Sequence, residues 1–189
     1  MFLDRYKTID RHRGNLPHWQ QGETWIFVTW RLRDSLPLAI VKKLLAERKL
    51  WENRHPKPWS DLHKREYQRK FTLPFEDMLD HAHGECLLAT KTLRDCVSGA
   101  MHHFHQERYE LDSFVVMPNH VHVLVRPFKE HRLESILQSW KRHSAREINK
   151  LRGVEGKIWQ REYQWTRDYI IKNPQHQASG SFTLWSRNL

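Results

Sequence analysis

Two cysteines, Cys86 and Cys96, are too few for a disulfide framework or for a zinc site of four thiolates, and they fit a reducing compartment. Seven glycines and eight prolines exclude a low-complexity or collagen-like chain. No apolar run approaches the roughly 18 residues of a membrane-spanning helix, and MFLDRYKTIDRHRG carries charge where a secretory signal needs an apolar stretch. A soluble cytoplasmic protein without membrane contact is the expectation. Gly153-x-x-Gly156-Lys157 has the wrong spacing for a phosphate-cradling P-loop and no Rossmann fingerprint is present, so no nucleotide cofactor is expected. Acidic residues are also in short supply. The 22 Asp plus Glu face 32 Lys plus Arg, a net charge of +10 with all 14 His neutral, and that excess points to a polyanionic partner.

What is present is a foldable chain: nine Trp, eight Phe and five Tyr in 189 residues can build the core of one domain. Residues 1–24, with Arg11, His12 and Arg13 close together, read as a basic N-terminal arm, and 25–189 as a single domain. The run WIFVTWRL at 25–32 is rich in β-branched and aromatic residues and reads as a first strand. Ile40, Val41, Leu44, Leu45 and Trp51 recur at helical spacing, predicting an amphipathic helix over 38–54. Ser60-Asp61 can cap a second helix toward Phe71, and Pro74 is expected to interrupt it before a last turn or two. Residues 33–87 thus look like a helical insertion.

Leu93, Val97, Ala100, Met101 and Phe104 mark a helix over about 90–106. Residues 109–117 and 120–126 read as a hairpin turning at Pro118-Asn119. Leu133 to Leu151 trace a long helix ended by Gly153, 157–163 a short strand, and 165–173 a short helix stopped by Pro174. Without the insertion the order is β, α, β, β, α, β. The fold class is α+β, a ferredoxin-like split βαβ sheet with a helical insertion after its first strand and a further helix at the C-terminal end.

Alternation on the second hairpin strand places Val121, Val123 and Val125 on one face and His120, His122, Leu124 and Arg126 on the other. If the valines take the core, two imidazoles stand side by side at a spacing that suits one metal ion. The chain also holds His81-x-His83 and His103-x-His105. The former sits next to a loop glycine, and the latter falls on a predicted helix, where i and i+2 diverge by roughly 200°. From pattern alone, His120 and His122 read equally as ligands or as two satisfied or exposed histidines.

The run FVVMPNHVHVLVRP resembles the His-hydrophobic-His strand of the HUH single-tyrosine transposases, and the chain is similar to REP-associated tyrosine transposases. WIFVTWRLRDSLP resembles that family's first strand, LWENRHPKPW an insertion carried by one branch, LESILQSWKRHSAREIN the helix after the hairpin, and WQREY the segment before the catalytic helix. The family's Tyr-Ile-x-x-Asn-Pro motif stands here as Tyr169 to Pro174. The resemblance implies Tyr169 as nucleophile, His120, His122 and Asn173 as ligands of Mg2+ or Mn2+, a 5′-phosphotyrosine intermediate, and a bacterial, nucleoid-associated enzyme. Its partners would be single-stranded DNA or DNA hairpins, REP-like palindromes among them. Monomers and dimers that exchange the tyrosine helix both occur in the family. A phenol of ordinary pKa needs about 4 kcal/mol to ionise at pH 7, so the ion, a cation such as Arg167 or Lys172, or a water acting as base must assist.

Residues 132–167 hold nine Lys plus Arg against four Asp plus Glu. Lys141, Arg142, Arg146, Lys150 and Arg161 are candidate phosphate contacts, Trp159 a candidate stacking platform, and Arg11 and Arg13 a second contact from the arm. The chain departs from the family between WQREY and Tyr169, where Gln164 to Asp168 replace a longer charged stretch. A catalytically impaired or domesticated hairpin-binding protein is therefore the alternative, and Tyr163 the fallback nucleophile. A histidine-triad nucleotide hydrolase would want a third His where Leu124 stands.

Overall fold

The computed structural model of the chain describes residues 10–12, 18–20, 24–161, 164–166 and 183–187. Within the basic arm, β1 (Asp10–His12) and β2 (His18–Gln20) pair antiparallel, a ribbon that the segment's polarity does not signal. Strand β3 (Ile26–Arg31) is buried along its whole length.

The insertion that follows is helical, as its periodicity predicts, with α1 (Leu38–Arg54), α2 (Asp61–Tyr67), a π turn (Gln68–Thr72) and α3 (Leu73–Asp80). Ser60 caps α2 by accepting from the His63 amide at 3.2 Å. Pro74 does not interrupt the helix. It sits in the first turn of α3, and the Leu73 amide reaches back five residues to the Gln68 carbonyl, so the wider turn shifts the bonding register just where proline has no N–H to offer. Trp51 joins α1 to α2, its ring 5.5 Å from Tyr67 and 5.1 Å from Trp59, and a small core of Leu36, Phe75 and Leu79 packs with Val41, Leu44 and Met78. The apolar stripe of α1 is only partly covered. Ile40, Leu45 and Leu50 are 38%, 43% and 57% exposed, because the returning helices meet only the side of α1 that carries Val41, Leu44 and Trp51.

After a 3-10 turn (Leu87–Ala89), α4 (Lys91–His102) stops short of the expected Gln106, and β4 (Tyr109–Val116) and β5 (His120–Pro127) form the hairpin. Its turn closes through the Met117 amide donating to the His120 carbonyl at 2.9 Å, with Pro118 and Asn119 at the centre. Helix α5 (Leu133–Arg152) ends at Gly153, whose φ of 64° is left-handed. The expected strand over 157–163 is instead a single bridge of Trp159 with Leu32. The regular ladder comes later, at β6 (Gln164–Thr166), so Trp165 and Thr166 are extended rather than helical. Trp and Thr are strand formers, and β3 offers a free edge there. A further strand, β7 (Thr183–Ser186), was not expected; it adds to the far edge, where Trp185 stacks on Phe114 at 5.4 Å.

The sheet order is β6-β3-β5-β4-β7, all neighbours antiparallel, and its first four strands have the ferredoxin-like order. The fold is thus the expected α+β class. One sheet face, with Val28, Trp30, Val121, Val123 and Val125, packs on Val97 and Met101 of α4 and on Ile136, Leu137 and Trp140 of α5. Each buried valine contributes about 1.5–3 kcal/mol. A one-residue slip of β5 would forfeit all three and turn both imidazoles into the core, which fixes the face they occupy. Among the described residues no helix is long and apolar enough to cross a membrane.

Candidate metal centre

The sheet face opposite α4 and α5 carries Phe27, Thr29 and Arg31 from β3 beside His122 and His120 from β5, with Thr29 directly across from His122 and Arg31 across from His120. Both imidazoles are fully buried. Their Nε2 atoms face one another at 2.8 Å with the rings at 81°. His122 stacks on Phe27, and its Nδ1 meets the Thr29 hydroxyl at 2.7 Å. The Nδ1 of His120 lies 2.7 Å from the Asn119 amide oxygen.

These contacts settle the proton on one ring. The Asn119 amide nitrogen donates to the His83 carbonyl at 3.2 Å, which leaves its oxygen to accept, so His120 carries its proton on Nδ1 and presents a lone pair at Nε2. Across from it, His122 has two states. Either its Nε2 donates to His120 while the Thr29 hydroxyl donates to Nδ1, or Nδ1 donates to Thr29 and a second lone pair converges with the first. The second state turns two lone pairs toward one point, the arrangement that a single cation can receive. Adjacent ligands of an octahedral ion at about 2.1 Å stand about 3 Å apart, close to the spacing observed. Burial pushes both rings well below the ordinary imidazole value, His122 to about 3, and His122 itself further lowers His120. Neutral rings held by second partners are the form in which histidine binds metal.

A carboxylate completes the group. Asp80 at the end of α3 places Oδ1 3.6 Å from the His120 Nε2, and one donor atom from each of Asp80, His120 and His122 lies within 4.8 Å of the others. Because His120 is neutral, this is a carboxylate facing an imidazole edge rather than an ion pair. Glu76, one turn earlier, is buried, its Oε2 has no hydrogen-bond partner, and burial together with the charge of Asp80 raises its carboxyl to about 7. Among the described residues no other trio of His, Cys, Asp or Glu converges in this way. His81 is exposed and bonded to the Asp77 carbonyl, His83 is exposed, and His105 accepts from the Leu111 amide, so neither of the other His-x-His pairs forms a site. Asp80 carries no sequence signal, since it lies in a different element and no spacing relates it to the histidines.

The other site expectations divide. Arg142, Arg146, Lys150 and Arg161 are exposed. Lys141 is turned inward: its ammonium donates to the carbonyls of Gln160 and Arg161, and burial lowers it to about 8. Trp159 is a core residue rather than an open platform, its indole N–H donating to Ser144 at 3.1 Å and its ring set edge-on to Trp30. Arg11 lies on β1 opposite Trp19. Arg13, Tyr163, Arg167, Tyr169, Lys172 and Asn173 lie outside the described residues.

A family model described as IS200-like transposase matches residues 86–181, just over half of the chain, and takes in the whole hairpin with both histidines. The chain belongs to the IS200-like transposase family. The match begins at residue 86, past the insertion's helices, so Asp80 and Glu76 stand outside it. Among solved structures, a REP-associated tyrosine transposase bound to a REP hairpin is 17% identical over 84% of this chain, with a TM-score of 0.36, and a candidate transposase from Deinococcus radiodurans R1 is 14% identical over 85%, with a TM-score of 0.35. The chain spans 64% of the length of the first and 86% of the second. No curated protein matches it.

Proposed function

We propose that this member of the family cleaves and rejoins single-stranded or hairpin DNA, REP-like palindromes included, through a tyrosine nucleophile assisted by a divalent cation. The reading is carried by the pair of buried, neutral imidazoles whose Nε2 atoms face each other at 2.8 Å. His120 and His122 would hold the cation, with the Asn173 amide as a further neutral ligand, while Asn119 and Thr29 keep both rings oriented. Two imidazoles suit Mn2+ better than Mg2+. When bound, the ion polarises the scissile phosphate and offsets charge on its oxygens.

The phenol oxygen of Tyr169 attacks phosphorus as its proton leaves to a base, and the bond to the 3′ oxygen breaks, that oxygen taking up a proton. A 5′-phosphotyrosine and a free 3′-OH result. Attack by a 3′-OH on that phosphotyrosine reverses the step, conserving the ester energy, so no ATP is needed. Exposed Arg142, Arg146, Lys150 and Arg161, with Arg11 and Arg13 from the arm, would track the DNA backbone.

A second reading, a hairpin binder without turnover, is favoured by one observation. Strand β6 takes up Gln164–Thr166, leaving only Arg167 and Asp168 between its end and Tyr169. A labelled single-stranded hairpin incubated with Mn2+ and the full chain separates the two. A covalent protein-DNA band that disappears in Tyr169→Phe supports cleavage, and a band that persists there but is lost in Tyr163→Phe moves the nucleophile. Tight binding with no band establishes the binder.

A further inference from the structure

We propose that Asp80, at the end of the insertion's last helix, is itself a ligand of the cation held by His120 and His122, so that the insertion supplies part of the metal centre. The inference rests on the reading of the histidine pair as a cation site. Three observations carry it. Asp80 Oδ1 stands 3.6 Å from the His120 Nε2, within the range over which two ligands share one ion, and all three donor atoms lie within 4.8 Å of each other. The donor comes from a rigid source: Leu79, beside it, is fully buried in the insertion's own core with Leu36 and Phe75. The Glu76 carboxylate, one turn earlier on the same helix, has a buried oxygen without a hydrogen-bond partner, the kind of atom that a water on the cation would meet.

Asp80 is the final residue of α3, and its carboxylate lies beside the two neutral rings. The ligand set would then be two imidazoles, the Asn173 amide and one carboxylate, leaving the ion a net +1 instead of +2, and the anionic oxygen donor makes Mg2+ and Mn2+ more nearly equivalent than neutral ligands alone would.

The test measures Mn2+ binding to the full chain by the electron paramagnetic resonance of the free ion. Wild type binds, Asp80→Asn binds about ten-fold or more weakly, and His122→Ala does not bind. Wild-type affinity in Asp80→Asn alongside loss in His122→Ala overturns the role of Asp80 and leaves the histidine pair standing. Retained binding in His122→Ala overturns the reading beneath both. A second variant guards against misfolding of the insertion: Asp80→Cys with Cd2+ should gain a thiolate-to-metal charge-transfer absorption over the background of Cys86 and Cys96, and lose it when His122→Ala is added. No such gain overturns the proposal.

Discussion

At the scale of single residues, the proposed cation site would depend on partners that are not ligands. The Thr29 hydroxyl lies 2.7 Å from the His122 Nδ1 and can accept from it as readily as donate to it, which would free the Nε2 lone pair for a cation. Thr29→Val keeps the shape and the strand propensity but removes the acceptor. Its expected effect is a loss of about 10- to 100-fold in Mn2+ affinity with a thermal midpoint close to wild type, read by calorimetric titration and circular dichroism; unchanged affinity would mean that the hydroxyl plays no part in orienting the ring. The histidines were legible in the sequence because period-2 alternation with three valines assigns them a face. Thr29 and Asp80 were not. Register across β3 and the path of α3 set their places, and neither leaves a mark on local spacing. Trp159 and Lys141 misled for the related reason that composition counts aromatics and cations without saying which way they turn.

At the scale of elements, the return from α3 to α4 does more than connect. Ala82, Gly84 and Cys86 all have positive φ within this short stretch, and a Cβ on Gly84 would stand 2.7 Å from the Asp34 carbonyl oxygen and 2.8 Å from its carboxylate. The Glu85 amide donates to that carboxylate at 2.7 Å, tying the return to the turn that follows β3. From there the His83 carbonyl takes the Asn119 amide, which sets the proton on His120. Gly84→Ala should therefore cost about 2 kcal/mol or more through strain and clash. It should also weaken Mn2+ binding, since the tie to Asn119 moves with the backbone. Urea unfolding and ion titration on the same preparation check both, and a destabilised variant that binds normally would break the proposed link. The helices and the hairpin were readable from periodicity. The last strands were not, because three- and four-residue strands carry too little pattern, and β6 and β7 exist only where β3 and β4 present open edges.

At the scale of the whole molecule, a net charge of +10 must be arranged as well as possessed. Helix α5 divides it cleanly: Ile136, Leu137, Trp140, Ser144 and Ile148 are buried, while Arg142, Arg146 and Lys150 are exposed at i, i+4, i+8 on the other side. One helix thus seals the core beneath the sheet that carries the histidine pair and offers a row of cations to solvent. If that row follows a DNA backbone, each phosphate contact releases counterions, and the slope of log affinity against log salt falls by about 0.7 per contact for single strands. The triple variant Arg142→Ala, Arg146→Ala, Lys150→Ala should lower the slope by about 2, weaken binding to unrelated hairpins alike, and leave Mn2+ affinity unchanged, because none of the three approaches the imidazoles. Lys141→Ala should behave differently. Its ammonium serves the Gln160 and Arg161 carbonyls, so the loss appears in the urea midpoint while the salt slope stays at the wild-type value. Fluorescence anisotropy across a salt series with both variants separates charge placed for DNA from charge placed for the fold, and an unchanged slope in the triple variant would move the DNA path off α5.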